Sequence, residues 1–211
     1  MLSRLRAASF LAEFIGTAML VMVVLVLSQT TPVSYFIATS VAITLAVIVM
    51  LFGTVSGAHV NPAITFGMWA SRQIGTLRAA NYVAAQLLGA LAALQLYQYF
   101  TDRAVAVRED TFTTPIWLAE VVGTAVLALG ITAAVSRGFD ALQSALAYGA
   151  AFFVGIMIAS TASAAFLNPA IALGVRGWSA AYVLGPLVGA LVATNLYYLL
   201  FAPSTKPRAH L

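Results

Sequence analysis

Residues 56–67 read SGAHVNPAITFG, and residues 166–174 read FLNPAIALG. Asn61-Pro62-Ala63-Ile64 returns as Asn168-Pro169-Ala170-Ile171 after 107 positions, and Gly67 returns as Gly174 at the same interval. Self-similarity at a fixed offset decides the organisation of a chain before any local reading does. Working outward, AEFIGTAML (12–20) recurs as AEVVGTAVL (119–127), again 107 apart. YVAAQLLGALAALQLY (82–97) recurs as YVLGPLVGALVATNLY (182–197), 100 apart, with nine of sixteen positions identical. The halves therefore differ by seven residues in one connector.

Charged residues are 8% of the 211 positions and hydrophobic ones 62%. A soluble domain carries roughly 25% charged residues, so hydrocarbon is the expected solvent. Six apolar stretches are long enough to cross a bilayer: about 10–28, 34–52, 79–100, 115–135, 141–160 and 180–201. Each half then holds three spans plus one short segment containing Asn-Pro-Ala. An odd number of spans turns the second half upside down relative to the first, the inverted-repeat plan of many transport proteins. The expected fold is all-α, with six transmembrane helices and two re-entrant half-helices in a single domain over 1–211. Repeat one covers about 10–100 and repeat two about 115–201. Residues 101–114 (TDRAVAVREDTFTT) form a connecting loop outside, and residues 202–211 form a cytoplasmic tail.

The net charge of +4 forms no patch that would suit nucleic acid. With the N-terminus inside, Arg4, Arg6, Arg72, Arg78, Arg137, Lys206 and Arg208 fall on the cytoplasmic side, and Arg103, Arg108 and Arg176 outside. That imbalance follows the positive-inside rule, with both termini cytoplasmic in a plasma or inner membrane. Arg4 and Arg6 ahead of an apolar run could mark a signal peptide, but the run recurs as an internal segment and reads as a helix. Small residues four apart, which let helix backbones approach in lipid, recur in matching places: Ala12/Gly16 with Ala119/Gly123, and Gly89/Ala93 with Gly189/Ala193.

The segments from Asn61 to about Ser71 and from Asn168 to about Val175 are too short to span. A helix of about ten residues covers roughly 15 Å, half of a core roughly 30 Å thick. Asn is a favoured N-cap and Pro a favoured first helical residue. Each Asn-Pro-Ala (Asn61, Pro62, Ala63; Asn168, Pro169, Ala170) therefore starts a half-helix, and the two starts should face each other at the midplane. Helix starts carry the equivalent of roughly +0.5 charge. Aimed into a pore, such half-helix dipoles oppose cations, a recognised selectivity device of membrane pores. Each Asn side chain should accept from its own helix and still offer N–H donors to a neutral solute.

Glu13 and Glu120 are repeat-related carboxylates inside apolar spans. They either relay protons or ions in a coupled transporter, or brace the re-entrant loops by accepting their backbone N–H groups, which lipid cannot satisfy. The matched placement favours bracing. His59 either lines the cytoplasmic vestibule or hydrogen-bonds its loop; its repeat partner is Phe166. Gln86, opposite Pro186 in the repeat, should satisfy neighbouring backbone. His210 lies in the polar tail. No spacing suggests a metal site, a cofactor motif or a catalytic constellation, and the chain contains no cysteine. An enzyme is not expected.

On these two motifs the chain resembles the aquaporins, or major intrinsic proteins, from Ala12 to about Tyr198. SGAHVNPAITFG is similar to the family's first signature loop, with Ala58 where glycine is common, and FLNPAIALG to the second. The resemblance implies six tilted helices and two half-helices around one pore per subunit, assembled as homotetramers. It also implies bracing carboxylates at Glu13 and Glu120. Carrying the family's outer filter over by spacing gives Val41, Ile156, Ala165 and Ile171. All four are apolar, and Ile171 replaces the usual arginine. Arg176, about 140° around the helix and roughly 7.5 Å farther along it, is expected at the outer vestibule. The implied function is a passive channel for water or small neutral solutes such as glycerol, ammonia or carbon dioxide. The rivals are a coupled transporter and a non-conducting structural member.

Overall fold

The computed structural model describes residues 2–30, 33–108 and 112–202. Eight helices occupy them: α1 (Leu2–Thr30), α2 (Ser34–Ser56), α3 (Pro62–Ala70), α4 (Thr76–Thr101), α5 (Thr114–Arg137), α6 (Ala141–Ala159), α7 (Pro169–Gly174) and α8 (Ala180–Leu200). Six of them, all but α3 and α7, are long and apolar enough to cross a membrane. Lys206, Arg208 and His210, with the rest of the expected tail beyond Ala202, lie outside the described residues, as do 109–111 of the connecting loop.

Helix boundaries exceed the apolar boundaries where nothing stops the backbone. α1 begins at Leu2, not near residue 10. Its Leu, Arg and Ala residues are strong helix formers, and no Gly or Pro interrupts that first stretch. Starts and stops follow local chemistry elsewhere. Thr113 caps α5 by accepting from the Ile116 N–H, with Pro115 in the first turn. Asp140 and Gln143 form a reciprocal capping box at α6. Gly57 and Gly138 end α2 and α5 in the left-handed conformation.

Packing follows the repeat. α1 packs on α2 and α4, as α5 packs on α6 and α8, and α2 meets its own counterpart α6 across the symmetry axis. The half-helices cross over: α3 packs mainly on α8, and α7 mainly on α4, so each is held by the opposite half. Small residues make these contacts possible. At Gly89 an added Cβ would collide with the Phe14 carbonyl, and at Gly189 with the Val121 carbonyl, the repeat-related pair.

The polarity of the molecule is inverted relative to a soluble protein. Leu11, Ile15, Ile43, Val47, Met50, Leu142 and Leu146 are exposed on the outside, as lipid requires. The buried polar residues include Glu13, Glu120, His59, Gln86, Asn61 and Asn168. They concentrate where α3 and α7 approach each other.

Candidate functional site: a central pore between two half-helices

Asn61 and Asn168 are the N-caps of α3 and α7, with Pro62 and Pro169 in the first turns. Asn61 Oδ1 accepts from the Ala63 N–H at 2.8 Å, and Asn168 Oδ1 from the Ala170 N–H at 2.9 Å. The amide nitrogens reach across. Asn61 Nδ2 donates to the Leu167 carbonyl and Asn168 Nδ2 to the Val60 carbonyl, both at 2.9 Å. One amide hydrogen of each Asn is thus committed to the other half's loop, which leaves one per residue.

Aiming those carbonyls requires unusual backbone. Ala58 and Val60 sit at φ 50° and 41°, and their counterparts Ala165 and Leu167 at 53° and 52°. Non-glycine residues avoid this left-handed region, and a β-branched one such as Val60 does so most strongly. Each such residue costs on the order of 1–3 kcal/mol and persists only where its surroundings over-determine it.

The surroundings are the two buried carboxylates. Glu13 Oε1 accepts from Ser56 Oγ (2.6 Å) and the His59 N–H (3.0 Å), and Oε2 from the Val60 N–H (2.7 Å). Glu120 repeats this with Ser163 Oγ (2.8 Å), Phe166 N–H (3.0 Å) and Leu167 N–H (2.7 Å). The serine hydroxyls also accept from the Ala58 and Ala165 N–H groups. Three successive backbone donors in each loop are thereby satisfied without water. Tyr82 and Tyr182, again repeat-related, add hydroxyl contacts to the Ser56 carbonyl and the Ala164 N–H.

Beyond this frame the halves diverge. In the first, His59 Nδ1 lies 3.1 Å from Thr65 Oγ1, and Gln86 Nε2 donates to both Thr65 Oγ1 (2.9 Å) and Glu13 Oε2 (2.8 Å). His59 is thus hydrogen-bonded within its loop, 7% exposed and edge-on to Tyr82. Gln86 serves side chains, not the backbone expected of it. In the second half the matching positions are Phe166, Ala172 and Pro186. The polar cluster becomes apolar, and Phe166 packs on Tyr182 with ring centroids 4.5 Å apart.

Two cavities flank the Asn pair. One, about 310 Å³, opens at the connecting-loop end. Val41, Ile156, Ala165 and Ile171 all line it, together with Phe152, Phe166 and Arg108. The other, about 220 Å³, opens at the opposite end among Val49, Gly53, Gly57, Asp140, Ser144 and Tyr148. Val41 and Val49, on the two cavities, are eight residues apart on α2, or roughly 12 Å. Neither Asn is among the residues lining either cavity.

Arg176 lies beyond the helix from which its position was projected, but still at the connecting-loop end. α7 ends at Gly174, and Arg176 adopts φ 58°, so it has left the helix. Its Nη1 donates to the Val105 carbonyl of the connecting loop at 2.8 Å, and its own carbonyl accepts from the Arg108 N–H at 3.0 Å. Arg108, not Arg176, lines the cavity.

Sequence reasoning overlooked Ser56 and Ser163, Tyr82 and Tyr182, Thr65, and Arg108. The serine and tyrosine pairs recur at offsets of 107 and 100, so the repeat carried a signal for them. Arg108 has no repeat partner and left none.

Two inverted half-helices meeting within six apolar helices, with a cavity on each side, define a membrane channel of the aquaporin class, whose members conduct water or small solutes and are not enzymes. The family model for the major intrinsic proteins matches residues 2–198, and the chain belongs to that family. It is 34% identical over 216 residues to aquaporin-2 of Bos taurus, covering 92% of this chain and 79% of that protein. It is 36% identical over 188 residues to a probable aquaporin TIP3-2 of Oryza sativa subsp. japonica, covering 82% and 70%. The crystal structure of the aquaglyceroporin from Plasmodium falciparum superposes with a TM-score of 0.79 at 20% identity, covering 94% of this chain and 98% of that one. That last likeness is one of fold.

Proposed function

We propose that the channel passes small uncharged molecules passively and excludes protons and cations at the Asn61/Asn168 pair. The observation that carries this reading is the reciprocal tie between the two Asn side chains. Each caps its own half-helix and donates to the other's loop. This holds two positive helix starts at one depth with one amide N–H of each Asn left for a passing acceptor. A neutral solute gains donors there, whereas a cation meets a barrier.

The outer constriction in this reading is the apolar set Val41, Ile156, Ala165 and Ile171. Water entering it gives up hydrogen bonds that aliphatic side chains cannot return, so water should pass slowly for this class. Ammonia, carbon dioxide and small polyols should pass relatively better. Glu13 and Glu120 serve as braces, since their hydrogen-bond donors are loop and neighbouring side-chain groups, all neutral. We place both termini in the cytoplasm of a cell membrane and the subunits in a homotetramer, one pore each.

The test is stopped-flow of purified protein in liposomes, with water, glycerol, ammonia and an alkali ion measured side by side. The expected result is neutral-solute flux above protein-free liposomes with no ion flux. Wild-type ion flux comparable to the neutral flux would overturn the reading.

A further inference from the structure

We propose that Tyr148 is a specificity-determining residue of this channel, a ring that narrows the path at the end away from the connecting loop and whose hydroxyl hydrogen-bonds passing solutes. The inference rests on the conduction reading above and adds the residue that filters at its other end.

The inverted repeat gives the apolar constriction a counterpart. At the interval of 107, Val41 corresponds to Tyr148 and Ile156 to Val49. The cavities keep that correspondence: Val41 and Ile156 line the loop-end one, and Tyr148 and Val49 line the other. All four are buried, between 1% and 4% exposed. They are carried by α2 and α6, which pack directly on each other. The rest of the apolar set, Ala165 and Ile171, corresponds to Ala58 and Ile64, again one alanine and one isoleucine. Chemical character changes at a single position. The valine of one set is the tyrosine of the other.

The position is fixed and its hydroxyl is unused. Ser144, Tyr148, Phe152 and Ile156 stand four apart on α6 and form one stripe along it. Beside Tyr148, a Cβ at Gly149 would come 2.9 Å from the Ala42 carbonyl, so the α6 backbone lies against α2 here. Of the other polar side chains on this cavity, Asp140 accepts from the Gln143 N–H and Ser144 donates to the Phe139 carbonyl, while Thr54 is exposed. The Tyr148 hydroxyl has no hydrogen-bond partner among the described residues, and it is not one of the sealed unpartnered hydroxyls such as those of Thr17 and Thr124. It is therefore accessible from the cavity that the ring lines.

A phenol both donates and accepts. Among Val49, Ala134, Val135 and Phe139, it returns to water or a polyol a hydrogen bond that the aliphatic wall cannot. The ring also takes up width that a valine would leave open. This end should therefore favour narrow solutes that hydrogen-bond and hold back larger ones.

Tyr148→Phe removes the hydroxyl and keeps the ring, and Tyr148→Val gives this end the residue its counterpart carries. In liposomes, we expect glycerol permeability per folded channel to fall about fivefold in Tyr148→Phe, the effect of one net hydrogen bond. The thermal midpoint should stay unchanged, because the hydroxyl holds nothing in the fold. Tyr148→Val should raise the erythritol-to-glycerol permeability ratio. The chain contains no cysteine, so accessibility can be read without flux. In detergent, Tyr148→Cys should react with methyl methanethiosulfonate, whereas Ile48→Cys, in the core at 0% exposure, should not. Unchanged glycerol permeability in Tyr148→Phe would overturn the proposal, and so would a lowered midpoint, which would assign the hydroxyl to the fold. An unreactive Tyr148→Cys in protein that elutes as wild type would do the same, and an unchanged solute ratio in Tyr148→Val would remove the ring from the narrowing. Absence of all flux in wild type would sink the conduction reading instead, and the cysteine's reactivity would still decide whether this position faces the cavity.

Discussion

At the scale of single residues, the pore depends on side chains that do two things at once. Asn61 and Asn168 each accept from their own helix through Oδ1 and donate across the pore through Nδ2. Replacing either by Asp keeps the cap and removes the donor. It sets an acceptor-only group against the carbonyl of Leu167 or Val60 and offsets the positive helix start. Proton or alkali-ion leak should rise in Asn61→Asp and Asn168→Asp; folded variants no leakier than wild type in ion-flux assays would contradict the barrier. Ile171 makes the complementary case. It is 1% exposed and lines the loop-end cavity, so Ile171→Arg brings donors and charge to the aliphatic part of that cavity's wall. The expected outcome is a changed ratio of water to glycerol permeability, normalised to folded protein, with some loss of thermal stability because a buried cation needs acceptors. An unaltered ratio would remove Ile171 from the constriction.

At the scale of elements, two features hold the half-helices in place: carboxylates that satisfy the loops, and glycines that let helices close on one another. The carboxylate bonds are nearly identical in the two halves, to within 0.2 Å at each matched donor. Identical restraints explain how four non-glycine residues stay left-handed within the paired loops. Helix contact is just as exacting. The Phe14 and Val121 carbonyls occupy the space a side chain would need at Gly89 and Gly189. In lipid there is no hydrophobic drive to compensate for lost packing between helices. Gly89→Ala and Gly189→Ala should each destabilise by about 1–3 kcal/mol, the usual cost of overpacking. Thermal unfolding in detergent measures this, and an unchanged midpoint would mean the α1–α4 or α5–α8 contact is looser than described.

At the scale of the whole molecule, the two halves form one body because each half-helix is packed by the other half. The buried carboxylates Glu13 and Glu120 are already engaged by four and three donors respectively. A coupled transporter needs a bistable element and a titrating group that biases it. Here the two carboxylates are engaged by neutral donors of the loops and of neighbouring side chains. Flux of a neutral solute should therefore be the same with and without an imposed proton or sodium gradient. Uphill accumulation driven by either gradient would replace the channel reading with a transporter.

Spans, inversion, half-helix starts and the paired Asn residues were all legible in the chain, because each leaves a local or periodic trace: apolar length, an odd count, a capping dipeptide, a recurrence 107 residues away. The serine and tyrosine members of the loop frame were legible by the same recurrence once the repeat was aligned. Other features were decided by the tertiary structure, because they depend on which surfaces meet. The Asn amides are half committed to the opposite loop, a contact between residues more than 100 positions apart. His59 is drawn into a buried cluster by Thr65, Gln86 and Tyr82, which come from different elements. Arg176 leaves its helix too early for a helical projection to apply. Arg108, from a loop with no periodicity and no counterpart in the first half, reaches the cavity because that loop is clasped to the end of α7. Sequence patterns report what a segment does with itself and with its copy; where one unrepeated loop comes to rest is settled by the surface it folds against.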